Sequence, residues 1–264
     1  MWFELIFYLF LGAISGFIAG LLGIGGGLII VPSLVTFFTY LAMPDEIAMH
    51  MAIATSLGTI VFTSLSSVYT HHRHGAVLWL VVSKLTPGIV FGVLSGVVLG
   101  RQLPHQVLET IFGLFAILVA IQMIGDIKPA ASRSLPGVVG MTLAGGGIGF
   151  VSSLVGIGGG TMTTPFLYWR KTSVKQAIAT SAACGFPIAI VGLVGYIFAG
   201  TGNVIFQEWS SGYVYWPALI AISITSVLFA PLGARWTHYM PVLRLKRIFA
   251  ILLIVVAARL LLLE

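Results

Sequence analysis

Charge is what this chain has least of. Asp, Glu, Lys and Arg make up 8% of its 264 residues, where soluble domains carry roughly 25%, and so few cannot wet the surface of a water-soluble fold of this size. Acids are scarcer than bases, seven against thirteen. Glu109 and Asp126 lie near the edges of apolar stretches, so no pair of deep carboxylates is available for acid–base work. HExxH, GxSxG and Walker motifs are missing as well. The chain therefore does not read as an enzyme, and ATP-driven pumping would need another subunit. With one cysteine, Cys184, it has no internal disulfide and no thiolate cluster, and Cys184 reads as a small buried apolar residue. No metal or other cofactor is expected.

What the chain has in abundance is apolar sequence, 58% of all residues. Runs of about 20 residues, the length of a membrane-crossing helix, recur from end to end with short polar breaks. The first ten residues are apolar but contain Glu4 and no basic flank, so they read as a first membrane segment and not as a cleaved signal. The net charge of +6 is spread over short loops, as topology signals are, and nucleic acid is not an expected partner.

The chain repeats itself. Gly16-Phe17, then Leu22-Gly23-Ile24-Gly25-Gly26-Gly27 and Pro32, return as Gly149-Phe150, Val155-Gly156-Ile157-Gly158-Gly159-Gly160 and Pro165. Ala54-Thr55-Ser56 answers to Ala179-Thr180-Ser181. Gly75, Trp79, Gly96 and Pro104 answer to Gly212, Trp216, Gly233 and Pro241 at one constant offset. Two homologous membrane repeats are expected, 1–126 and 135–264, joined by a polar linker at 127–134. Each opens with a long uncharged segment, 5–44 or 135–169, interrupted by GIGGG, and continues with three spans. These fall at about 48–70, 76–99 and 105–124, then 174–200, 213–235 and 242–263.

Basic residues collect in cytoplasmic loops, and they favour folding each opening segment into a hairpin at its glycines. That topology gathers Arg73, Lys128, Arg133, Arg170, Lys171, Lys175, Arg235, Arg244, Lys246 and Arg247 on one side and leaves Arg101 and Arg259 on the other. Single crossings divide them less cleanly. The expected fold is all-α, with two inverted repeats, each a glycine-tipped broken hairpin plus three transmembrane helices, eight to ten membrane segments in all. Both termini would lie outside the cytoplasm. A compact helical protein of this kind fits a prokaryotic cytoplasmic (inner) membrane, with lipid as its surroundings.

Irregular backbone at membrane depth is tolerated only where protein or a water-filled cavity covers it, and the glycine runs are where the pattern demands it. Glycine admits positive φ and close approach of a ligand, and the helix that starts after each run presents free N–H groups and a positive dipole end to an anion. The candidate substrate site therefore comprises Gly23, Gly25, Gly26 and Gly27 with Gly156, Gly158, Gly159, Gly160 and Thr161. Small residues four apart also serve plain helix packing; the duplication in matching positions favours a site. Thr55, Ser56, Thr180 and Ser181, about 12 to 14 Å into their spans at 1.5 Å per residue, add hydroxyls that can donate to an anion. Such hydroxyls also commonly bond their own backbone. Lys84, a basic residue deep inside a span, is a candidate counter-charge or a snorkelling side chain. His71, His72 and His74 match no closed metal site and read as a solvated loop. His50 is a candidate proton acceptor, and Trp79, Trp209, Trp216 and Trp236 read as interfacial anchors.

On the two GIGGG repeats, the Ala-Thr-Ser triplets and the overall length, the chain resembles the TauE/SafE family of membrane permeases, the sulfite exporters. The resemblance covers almost the whole chain. It implies transport, commonly outward, of small sulfur-containing anions such as sulfite, sulfoacetate, thiosulfate or other organosulfonates, with about eight spans by the family's usual count. The expected function is a secondary transporter holding its anion at the paired helix breaks and alternating access, with protons a candidate coupling ion. The competing readings are a passive anion channel and a membrane scaffold or assembly protein that carries nothing.

Overall fold

The computed structural model describes residues 2–22, 25–125, 135–201, 208–236 and 242–262. It is all-helical but for one short hairpin. The order is α1 (Trp2–Leu22), α2 (Gly27–Tyr40), α3 (Asp45–Arg73), α4 (Trp79–Gly100), α5 (His105–Ile124), α6 (Val138–Val155), α7 (Gly160–Trp169) and α8 (Val174–Gly200). There follow β1 (Ser210–Ser211), β2 (Val214–Tyr215), α9 (Trp216–Trp236) and α10 (Val242–Leu262). Among the described residues seven helices are long and apolar enough to cross a membrane. The six expected spans become α3, α4, α5, α8, α9 and α10 with ends displaced by a few residues. The expected linker lies outside the described residues, save its last residue's neighbours from 135 onward.

Helix ends follow their local chemistry. α3 starts directly after Pro44 with Asp45 and Glu46 in its first turn and finishes with His71, His72 and Arg73, acid and base each at the dipole end that favours it. α8 is capped by Ser173, whose Oγ accepts from the N–H of Gln176 at 3.3 Å. Ser173→Ala should lower stability by about 1 kcal/mol, seen as a small drop in the unfolding midpoint in detergent.

The opening segment of the first half does turn back at its glycines. Phe7, near the start of α1, stacks on Phe37, near the end of α2, with ring centroids 3.9 Å apart, and Phe3 lies 6.2 Å from Tyr40. In the second half the return arm α7 has 10 residues, about 15 Å of helix.

Packing crosses between the halves. α4 lies chiefly on α6, and α1 chiefly on α9. Along α4, Gly88, Gly92 and Gly96 meet Thr142, Gly146 and Phe150 in turn. On α6, Gly145 and Gly149 meet Leu85 and Ile89. Both series advance together, so the two helices run parallel, at the close spacing that small residues four apart permit. Gly12 and Gly16 of α1 meet Ile222 and Ser226 of α9 in the same parallel sense. α3 and α8 instead run antiparallel, Leu57 against Gly192 and Ser64 against Gly185. α5 and α10 pack together, with Gly113 against Leu261.

Candidate functional site: two helix breaks at the centre of the bundle

The two glycine breaks meet each other. A Cβ on Gly27 would stand 2.6 Å from the carbonyl oxygen of Gly156 and 2.9 Å from the Cα of Ile157, so only glycine lets the first break seat against the second. Gly156 itself ends α6 in the left-handed region, φ +72°, with the Cα of Ile53 2.9 Å from where a Cβ would be. Gly158 faces Ile60, and Gly159 faces Ile188 and the carbonyl of Ser181. These contacts run from Ile53 to Ile60 on α3 and from Ser181 to Ile188 on α8, inside both helices and off their end turns.

At the second break α6 closes with the amides of Gly156 and Ile157 both donating to the Ser152 carbonyl, at 2.9 and 3.1 Å. The next bonded amide is that of Thr163, which donates to the Gly159 carbonyl at 2.8 Å. The N–H groups of residues 158–162 between them have no acceptor among the described residues. They are the free first turn that a helix N-terminus must leave. At the first break Gly25 takes φ +80° with nothing within 4 Å of a Cβ placed on it, and Gly26 caps α2, its carbonyl accepting from the amides of Ile29 and Ile30 at 3.0 Å. Gly23 lies outside the described residues.

Of the candidate hydroxyl residues, Ser56 and Ser181 touch the second break, and all four are already engaged with protein. Thr55 accepts from the N–H of Tyr215, and Thr180 from the N–H of Leu78, both at 3.1 Å. Each thus caps the chain entering the fourth helix of the other half, and each keeps a hydroxyl hydrogen with no acceptor among the described residues. Ser56 donates to the Gly156 carbonyl at 2.7 Å and so fixes the second break to α3. Ser181 donates to its own Ile178 carbonyl and accepts from Thr164, both at 2.8 Å. Thr55→Val strands a buried amide and should cost about 1–3 kcal/mol, with less for Thr180→Val, whose partner amide is half-buried; both are measurable as a lowered unfolding midpoint.

Lys84 is not part of the junction. Its carbonyl accepts from Thr142 near the start of α6, 14 residues and about 21 Å of helix from Gly156. The side chain is half-buried on α4, with no ion pair among the described residues. His50 lies at the other end, its Nε2 3.0 Å from the Gly100 carbonyl and its ring stacked on Tyr213. His72 accepts from the Trp79 indole N–H at 3.1 Å. A cavity of about 870 Å³ between α4 and α8 is lined by aliphatic side chains such as Val97 and Val194, with Arg101 and Gln102 at one end, and none of the break residues borders it.

Sequence reasoning missed three residues at the second break. Thr163 and Ser152 are fully buried with hydroxyls that have no partner, and Gly185 of α8 comes close to the Gly159 amide. The repeat alignment held the signal, because Thr163 and Thr161 stand where the first half has Ile30 and Leu28.

Residues 8–260 match the family described as Sulfite exporter TauE/SafE. The chain belongs to the TauE/SafE family. It is 41% identical over 255 residues to a probable membrane transporter protein of Haemophilus influenzae, covering 94% of this chain and 95% of that one. A probable membrane transporter protein of Methanocaldococcus jannaschii is 33% identical over 245 residues, with 88% of each chain covered. Another from Bacillus subtilis is 26% identical over 281 residues, 95% of this chain and 94% of that one. No solved structure matches. This TauE/SafE protein is an integral membrane transporter and not an enzyme.

Proposed function

We propose that this protein is a secondary transporter, working as an exporter, of small sulfur-containing anions such as sulfite, thiosulfate or organosulfonates. The anion is held where the two GIGGG breaks meet. The observation that carries the reading is the seating of Gly27 against Gly156 and Ile157 between α3 and α8, beside the free first turn of α7. Partial positive charge from unpaired amides suits an anion, and broken helices meeting inside a bundle are how many secondary transporters build their sites.

The two halves, 1–126 and 135–264, act as inverted repeats that rock about the junction. The antiparallel run of α3 and α8, which carry the equivalent Ala-Thr-Ser triplets, supports this reading. So does the exchange of partners, α1 with α9 and α4 with α6. The charge pattern then puts both termini outside a prokaryotic inner membrane. Thr55 and Thr180 lend their spare hydroxyl hydrogens to the anion, and protons supply the coupling.

The test is flux of labelled sulfite, thiosulfate and methanesulfonate in liposomes holding the purified protein, with and without a pH gradient. Saturable flux that the gradient alters is expected. Flux that never saturates and passes at channel rates would replace the carrier with a passive anion channel; folded protein with no flux for any of the three would end the transport reading for sulfur anions.

A further inference from the structure

The two breaks are alike in glycine and in a first helical turn with amides that have no acceptor among the described residues, and unlike in the side chains laid over that turn. In the second half α7 carries Thr161 and Thr163, where the first half has Leu28 and Ile30. Thr163 is fully buried and Thr161 is 8% exposed, and neither hydroxyl has a partner among the described residues. Helical side chains lean toward the N-terminus, which lays Thr163 back over the free turn; its Oγ1 is 3.1 Å from the place of a Cβ on Gly159. At the first break the corresponding contact, also 3.1 Å, is the Cδ1 methyl of Ile30 against Gly26.

Of the facing residues, one pair differs in the same sense, while Ile188 against Gly159 answers to Thr63. Opposite the Gly159 amide, α8 presents Gly185 and α3 presents Ser64: a Cβ on Gly185 would lie 3.7 Å from that nitrogen and 3.9 Å from the Ser64 Cβ. The repeat equivalents of Gly185 and Ser64 are Ile60 and Ala189, both buried and apolar, and Ile60 itself packs against Gly158. Ser152, one turn before Gly156, adds a further buried hydroxyl without a partner, and its equivalent is Ala19. A buried hydroxyl without a partner costs about 1–3 kcal/mol, and here three gather at one break, Ser152 from α6 and Thr161 and Thr163 from α7.

We infer that the two breaks do different work: the second alone binds, taking an oxyanion with two or more oxygens on the amides of residues 158–162 and the hydroxyls of Thr161 and Thr163, while the first is a dry wall that seats against it. This rests on the transport reading above and narrows it. Each oxygen needs its own donors, and the amides and the two hydroxyls supply them from one side. Uncharged analogues of the same shape gain nothing from the helix end.

Four variants test it, each read as the concentration for half-maximal liposome flux and as anion-induced shift of the unfolding midpoint, with sulfite, thiosulfate and methanesulfonate as probes. Thr163→Val is nearly isosteric and should raise the half-maximal concentration about 10- to 100-fold, the worth of a hydrogen bond to a charged group. Gly185→Ala makes ordinary contacts, so it folds, yet it puts a methyl against the Gly159 amide and should weaken binding at least as much. The mirror variants Leu28→Ile and Ile30→Val, at the first-half equivalents of Thr161 and Thr163, should leave the half-maximal concentration within about twofold. Equal losses from both sets would overturn the one-sided site and leave the transport reading standing. Wild-type protein that neither moves nor is stabilised by any probe would remove both.

Discussion

Gly92→Leu should leave almost no folded protein in the membrane. A Cβ at Gly92 would overlap the main-chain carbonyl of Gly146, and Gly88 stands likewise against the carbonyl of Thr142. Overpacking costs about 1–3 kcal/mol where side chains can shift aside. Here the obstacle is backbone inside a helix, so relief requires moving α4 off α6 along their whole length. In lipid no hydrophobic effect holds two helices together, and association rests on close packing. A drop of tenfold or more in monodisperse protein after detergent extraction is expected, with Gly147→Ala as control, since nothing lies within 4 Å of a Cβ there. Normal yield from Gly92→Leu would mean that the α4–α6 contact is looser than described.

Gly159→Val should fold and not transport. Its Cβ would meet the Ile188 Cδ1 and the Thr163 Oγ1 at 3.1 Å and the Ser181 carbonyl at 3.4 Å. Two of those are side-chain atoms that can give by a few tenths of an ångström, so the stability cost is modest. The functional cost is large, because the extra methyl groups stand over the unpaired amides of α7. Gly26→Val, against Ile30 Cδ1 at 3.1 Å and Ser15 Cβ at 3.4 Å, should also fold and should stop turnover by blocking the seating of the first break. Liposome flux beside size-exclusion profiles checks both, and wild-type rates from both well-folded variants would refute the junction as the transport site.

The membrane class, the spans and the hairpin turns were legible because each leaves a local trace: apolar runs of fixed length, glycines and prolines at fixed offsets, basic residues in alternate loops. The start of α7 at the last glycine of GIGGG was likewise written in the motif. What the residues could not announce was their partners. Thr55 and Thr180 looked like ligand donors, yet each also accepts from an amide 160 or 102 positions away, a pairing fixed by tertiary packing alone. The glycines of α4 gave no hint that α6 is their complement, since small residues four apart promise a close neighbour and never say which. Lys84 read as deep because the sequence starts its span at residue 76; α4 starts at Trp79, five residues before it, and the register of α4 against α6 separates it from the breaks. Thr163 left its trace only in the repeat alignment, which sets it against Ile30.

The crossed packing of α1 on α9 and α4 on α6 has a consequence for how the protein is made. A ribosome that has just finished α5 has delivered two glycine-faced helices whose mates do not yet exist. Until α6 and α9 are inserted, Gly12, Gly16, Gly88, Gly92 and Gly96 face lipid, where a glycine groove offers little to hold. The N-terminal part expressed alone should therefore be cleared by membrane proteases, and should survive when residues 135–264 are supplied on a second transcript. Assembly waits for the last helices, and quality control need inspect only one event.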